Sequence, residues 1–133
     1  DWEIVNPDIS GIIQLAVDPA NKEIVYAATR DGLMISRNGG VAWENLSAQL
    51  ASGAVTAVTV QTDNPKRVLS FSEKRGLAES TDGGATWDTI NFDGGTIFFL
   101  AFDPQETQKV YALTSSNTIH RSNDGGKTWA LIR

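Results

Sequence analysis

The chain has 133 residues, 41% of them apolar, enough for one domain with a core of its own. Its net charge of −5 argues against a phosphate-binding or anionic-membrane surface, because both need clustered Lys and Arg. There is no cysteine, which excludes disulfides and thiolate chemistry but leaves the compartment open, and no apolar run approaches the roughly 18 residues of a membrane-spanning helix.

Trp2-Glu3-Ile4-Val5 comes first and reads as a short strand (2–6) at the end of some preceding unit. Asp1 falls inside a pattern and no signal peptide is visible, so an upstream segment removed from this chain is expected. Ile12 to Val17 is the first full strand, A. Asp18-Pro19 turns the chain, since proline fixes φ and lacks an N–H. Val25-Tyr26-Ala27-Ala28 is strand B, and a short run around Leu33 is strand C. The octet Ser36-Arg37-Asn38-Gly39-Gly40-Val41-Ala42-Trp43 then forms a C–D hairpin, where the glycine pair accepts positive φ.

The same order returns twice. Val55 to Val60 and Ile97 to Phe102 repeat strand A; Val68 to Phe71 and Val110 to Leu113 repeat strand B; Leu77 and Ile119 mark strand C. Asn64-Pro65 and Asp103-Pro104 are the expected A–B turns. Ser80-Thr81-Asp82-Gly83-Gly84-Ala85-Thr86-Trp87 and Ser122-Asn123-Asp124-Gly125-Gly126-Lys127-Thr128-Trp129 repeat the octet. The four tryptophans are spaced 41, 44 and 42 residues apart and all fall at one position of the repeat. Four short β-rich runs in a period of about 40–45 residues mark a β-propeller blade. Ile97 to Phe102 is apolar throughout, and such a strand is expected to be covered on both faces. The expected fold is all-β: three four-stranded antiparallel blades, about 12–47, 55–91 and 97–133, plus the outer strand at 2–6.

These octets resemble the Asp-box, or BNR repeat, with pattern Ser-x-Asp-x-Gly-x-x-Trp. Boxes two and three match fully, and box one has Asn38 in place of Asp. The surrounding blade text is similar to bacterial propellers grouped with photosystem assembly factors and sortilin-type domains. Sialidases and xyloglucanases share the box, so the resemblance specifies a fold more than an activity. It implies an extracytoplasmic or secreted location, and it implies that the box hairpins lie opposite the usual ligand face.

A repeated box is expected to be structural. Asp82 and Asp124 can accept backbone N–H bonds of their own hairpins, Asn38 can do so without charge, and Ser36, Ser80 and Ser122 can add a hydroxyl. Gly40, Gly84 and Gly126 make the turn, while Trp43, Trp87 and Trp129 are expected to wedge between blades.

Function is expected on the other face, where equivalent loops differ in chemistry. Arg30-Asp31 in the first B–C loop corresponds to Glu73-Lys74-Arg75 in the second and to Ser115-Ser116-Asn117 in the third. Asp8 and Asp93 in the D–A loops are the only carboxylates there placed to serve as a hydrolytic pair, which would need a separation of roughly 5–9.5 Å. No sialidase arginine cluster, nucleophile elbow or phosphate loop is present. His120, the only histidine, lacks the Cys or carboxylate neighbours of a metal site. The reading is a non-catalytic propeller module that binds a protein or a glycan, with no cofactor, metal, nucleic acid or membrane insertion. The alternative is a piece of a xyloglucanase- or sialidase-type glycoside hydrolase. Three blades do not close a ring, since propellers have 4–8, so either further blades complete it or copies associate, two giving six.

Overall fold

The computed structural model describes residues 11–46 and 53–132. Every regular element among them is a strand, and together they form three four-stranded antiparallel sheets. Blade one is built from β1 (Ile12–Val17), β2 (Val25–Thr29), β3 (Gly32–Ser36) and β4 (Glu44–Asn45). Blade two is β5 (Val55–Gln61), β6 (Asn64–Ser72), β7 (Gly76–Ser80) and β8 (Asp88–Thr89). Blade three is β9 (Ile97–Phe102), β10 (Val110–Thr114), β11 (Ile119–Ser122) and β12 (Ala130–Leu131). In each sheet the strands lie in chain order, as expected from hairpins alone. The strand expected at 2–6 lies outside the described residues.

The blades stack face to face on two apolar seams. Between blades one and two, Tyr26, Ala28, Leu33 and Ile35 meet Val58, Val60, Val68 and Trp87. Between blades two and three, Leu69, Phe71 and Leu77 meet Ile97, Leu100, Phe102 and Val110, with Trp129 against them. Strand β5 is therefore buried along its whole length. Strand β9 is not: Phe98 and Phe99 are 44% and 48% exposed. The expectation that Ile97 to Phe102 is covered on both faces needs that correction, because among the described residues a sheet stacks on only one side of blade three. Strand β1 is open in the same way, with Ile13, Leu15 and Val17 exposed.

A second correction concerns the A–B turn of blade two. Asn64-Pro65 is not in the turn. Gln61 pairs with Asn64, so the chain reverses at Thr62-Asp63 and β6 begins at once. In blades one and three the turn is longer and an aspartate organises it. Asp18 Oδ1 accepts the N–H groups of Ala20 and Asn21, and Asp103 Oδ1 those of Gln105 and Glu106, at 2.7–3.1 Å.

The inner strands are sewn together by polar side chains. Gln14 of β1 donates from Nε2 to Leu100 O (2.8 Å), while its Oε1 accepts from Leu100 N (3.2 Å) and Val58 N (3.3 Å). Thr56 Oγ1 donates to Ile97 O at 2.5 Å. Inner strands are sheet edges with unpaired N–H and C=O groups, and these side chains satisfy them.

Candidate functional site: two opposite loop faces

The three octets occupy the same corner of their blades and make the same bonds. The serine hydroxyl donates to the Asp or Asn Oδ1 at 3.0, 2.7 and 2.6 Å in boxes one to three. It also accepts the N–H of the second glycine, Gly40, Gly84 or Gly126, at 2.8 Å each time. The same Oδ1 accepts the N–H of Ala42, Thr86 or Thr128 at 2.9 Å. Each indole Nε1 returns to the second glycine's carbonyl at 3.0, 3.1 and 2.7 Å. Both box glycines have positive φ throughout, between 73° and 98°, which a Cβ would oppose.

The boxes differ in charge. Thr86 and Thr128 donate a further bond to the second carboxylate oxygen of Asp82 and Asp124. Asp82 is held down to about 2, chiefly by the Thr86 hydroxyl and N–H and by Ser80. Asp124 is lowered too: desolvation works against it, but Ser122, Thr128 and Lys127 outweigh that. Box one has Asn38 and Ala42 at these places and carries neither the charge nor the extra bond. Every polar atom of these aspartates therefore points into its own turn, an arrangement suited to locking a hairpin rather than to acid–base chemistry.

Boxes two and three also tie their blades to the one before. Tyr26 OH donates to Gly83 O at 3.1 Å, and burial raises this phenol above its ordinary range. In the next seam Arg67 Nη1 donates to Gly125 O. Arg67 is buried, its Nε 3.1 Å from Glu79 Oε1, and its Nη2 lies as close to that oxygen as an ion pair without hydrogen-bond alignment.

The opposite face is formed by the B–C turns and the D–A segments. One backbone bond recurs there: Arg30 N to Gly11 O, Glu73 N to Ala54 O and Ser115 N to Thr96 O, at 2.9–3.1 Å. Gly11, itself an acceptor, and Gly53 and Gly95, each one residue before its acceptor, all have positive φ. The Arg30 stem lies across Gly11, where an added Cβ would stand 3.3 Å from it, and the Lys74 stem lies across Gly53 at 3.5 Å. Nothing among the described residues stands within 4 Å of the same point at Gly95. The face thus carries exposed Arg30 and Asp31 on blade one, exposed Glu73 and Lys74 on blade two, and no described side chain over Gly95 on blade three.

The remaining sequence-predicted residues scatter. Arg75 turns outward, its Nη2 donating to Trp87 O (2.8 Å) and its Nε to Thr89 Oγ1 (3.2 Å), so it clamps the outer strand. The Asp31 N–H is bound by Thr29 Oγ1, and Glu73 and Asp93 are exposed. Asn117 takes φ 61° as a turn residue. Asp8 lies outside the described residues. His120 packs edge-on to Phe92 at 5.1 Å, with Nε2 3.2 Å from Thr118 Oγ1. Among the described residues no group of three or more His, Cys, Asp or Glu could hold a metal ion.

Sequence reading did not find Gln14 or Arg67. The signal was present: each is a polar residue at a repeat position otherwise apolar or aliphatic-stemmed, Gln14 against Ala57 and Phe99, Arg67 against Ile24 and Lys109.

No family model matches the chain. A xyloglucanase of Paenibacillus sp is 27% identical over 174 residues, covering 98% of this chain and 17% of the relative. A xyloglucanase of Hypocrea jecorina is 30% identical over 128 residues, covering 90% and 12%. Vacuolar protein sorting/targeting protein 10 of Fusarium vanettenii is 30% identical over 114 residues, covering 67% and 8%. The chain therefore spans less than a fifth of the curated relatives it matches. Among solved structures, the GH74 enzyme of Niastella koreensis superimposes with a TM-score of 0.74 at 25% identity, covering 92% of this chain and 22% of that one. YCF48 bound to D1 peptide gives 0.74 at 22% identity, covering 96% and 42%. These likenesses agree on architecture: the chain is a stack of three neighbouring β-propeller blades.

Proposed function

We propose that this chain is an Asp-box propeller segment, with blades of about 12–47, 55–91 and 97–133, that binds a protein or glycan ligand without turnover. The observation that carries this is the loop face opposite the boxes. Three turns bonded alike at Arg30, Glu73 and Ser115 present Arg30-Asp31, Glu73-Lys74 and Ser115-Ser116-Asn117 on one frame. Rigid scaffolds with divergent loops are how binding sites are commonly built. YCF48 bound to D1 peptide lends support to a peptide ligand. Under this same reading the chain works outside the cytoplasm, a location that the likeness to xyloglucanases supports.

A second reading has specific support. Both xyloglucanase relatives and the GH74 structure favour a part of a glycoside hydrolase, with Asp93, and Asp8 outside the described residues, as carboxylates to test. Titration calorimetry with xyloglucan oligosaccharides and with carboxylate-ended peptides, beside a reducing-sugar assay on xyloglucan, separates the two. Binding without sugar release, weakened about tenfold or more by Arg30→Ala with Lys74→Ala, supports the binding module. Sugar release abolished by Asp93→Asn or Asp8→Asn supports the hydrolase and ends the first reading.

A further inference from the structure

The two seams of the stack share one frame and fill it differently. The pairings of Val17 with Val25 and of Val60 with Val68 set Asp18 level with Gln61, and Ile24 level with Arg67. Gly83 N bonds to Lys66 O and Gly125 N to Gln108 O, so the Gly83 carbonyl of the first seam corresponds to the Gly125 carbonyl of the second.

The second seam shows what this place accepts. The Arg67 guanidinium lies there, with Nη1 donating to Gly125 O and 3.5 Å from Gln61 Oε1, and Glu79 balances its charge. In the first seam Ile24 stands where Arg67 does, and Ile35 where Glu79 does. Tyr26 fills part of the space and donates to Gly83 O, which leaves that carbonyl a second lone pair. Between the two blades there remains a pocket of about 260 Å³, with Ile24, Tyr26, Leu46 and Pro65 as its apolar wall. It has room for a side chain, not only for a water.

The charge at this pocket suits a cation. Asp18 lines it and is 8% exposed. Its Oδ1 accepts the N–H groups of Ala20 and Asn21, while its Oδ2 accepts no hydrogen bond from the described residues. A buried carboxylate oxygen gains most from a charged donor. Arg37 and Lys66 stand on the rim, exposed, with Arg37 3.5 Å from Glu44. Water and salt screen these rim charges far more than the buried one.

We propose that the pocket between blades one and two, on the box face, is a second binding site that seats the guanidinium of a partner protein's arginine. The guanidinium would lie between Asp18 and the Gly83 carbonyl, as Arg67 lies between Gln61 and the Gly125 carbonyl. Its planar fork of donors can reach both acceptors at once. The site is separate from the loop face opposite, and neither reading needs the other.

Titration with N-acetyl-arginine amide, followed by amide NMR, tests this on the 133-residue chain. Saturable shifts are expected at the Asp18, Ile24 and Gly83 amides, and none with the uncharged isostere N-acetyl-citrulline amide. Asp18→Asn keeps an acceptor for Ala20 and Asn21 and should weaken binding about tenfold or more. Ile24→Arg supplies a guanidinium from within and should abolish binding while retaining the β-sheet circular dichroism. Absence of shifts at those amides, an equal response to both probes, unchanged affinity in Asp18→Asn, or undiminished binding in a folded Ile24→Arg would overturn the proposal.

Discussion

Two serines, equally buried and on neighbouring strands, should respond oppositely to the same substitution. Ser80 and Ser70 are 1% and 0% exposed. Ser80 Oγ accepts the buried Gly84 N–H at 2.8 Å, accepts Asp82 N–H at 3.3 Å and donates to Asp82 at 2.7 Å. Ser70 Oγ has no partner among the described residues and sits in β6 opposite Val58 and Ala78. Ser80→Ala strands one buried N–H and removes a bond to a charged group, a cost of about 2–3 kcal/mol. Ser70→Ala removes a desolvated hydroxyl that gains nothing in return, for a benefit of about 1 kcal/mol. At this chain length 1 kcal/mol moves Tm by about 3–4 °C, so Ser80→Ala should lower Tm by roughly 6–12 °C and Ser70→Ala should raise it by a few degrees. Thermal unfolding followed by circular dichroism reads both. Two losses of similar size would refute the reasoning, since burial alone would then decide and the box bonds would count for little.

Three further outcomes follow from the same contacts. Asp82 is depressed to about 2, so its contribution to stability is complete above about pH 4 and is lost as pH falls towards 2. Tm should fall over that window, and Asp82→Asn, which keeps the acceptor as Asn38 does, should flatten the curve. Glu79→Ala leaves the Arg67 guanidinium buried without its carboxylate and should cost about 3–5 kcal/mol by urea unfolding, far more than removing the exposed Arg37–Glu44 pair, worth about 0–1 kcal/mol. Gln14→Leu keeps the bulk but abandons the amides of Val58 and Leu100 and the Leu100 carbonyl, so it should cost about 1–3 kcal/mol and speed exchange of those two amides.

The blade frame was readable because it repeats. One Ser-to-Trp octet is a weak signal, but three at the same distance from a preceding strand fix the hairpins, the strand order and the corner. Position-specific features were harder. Asn64-Pro65 looked like its counterparts Asp18-Pro19 and Asp103-Pro104, yet it lies three residues later in the repeat, and β6 starts there instead. Arg75 was read as a candidate binding residue of the B–C loop, through the divergence of equivalent loops. Its role as a clamp on Trp87 O depends on a strand brought beside it by folding. Arg30 and Lys74 were singled out through loop divergence. That their stems lie across Gly11 and Gly53 depends on D–A segments whose lengths vary, so it shows only in three dimensions.

The central claim is that the octets are the locks of the stack, and amide hydrogen exchange tests it site by site. The N–H groups of Gly40, Gly84 and Gly126, each held by a serine hydroxyl within a turn, should exchange as slowly as those of core strands β5 and β6. If these glycines exchange as fast as the exposed B–C turn at Ser116, the octets fasten nothing and the account fails.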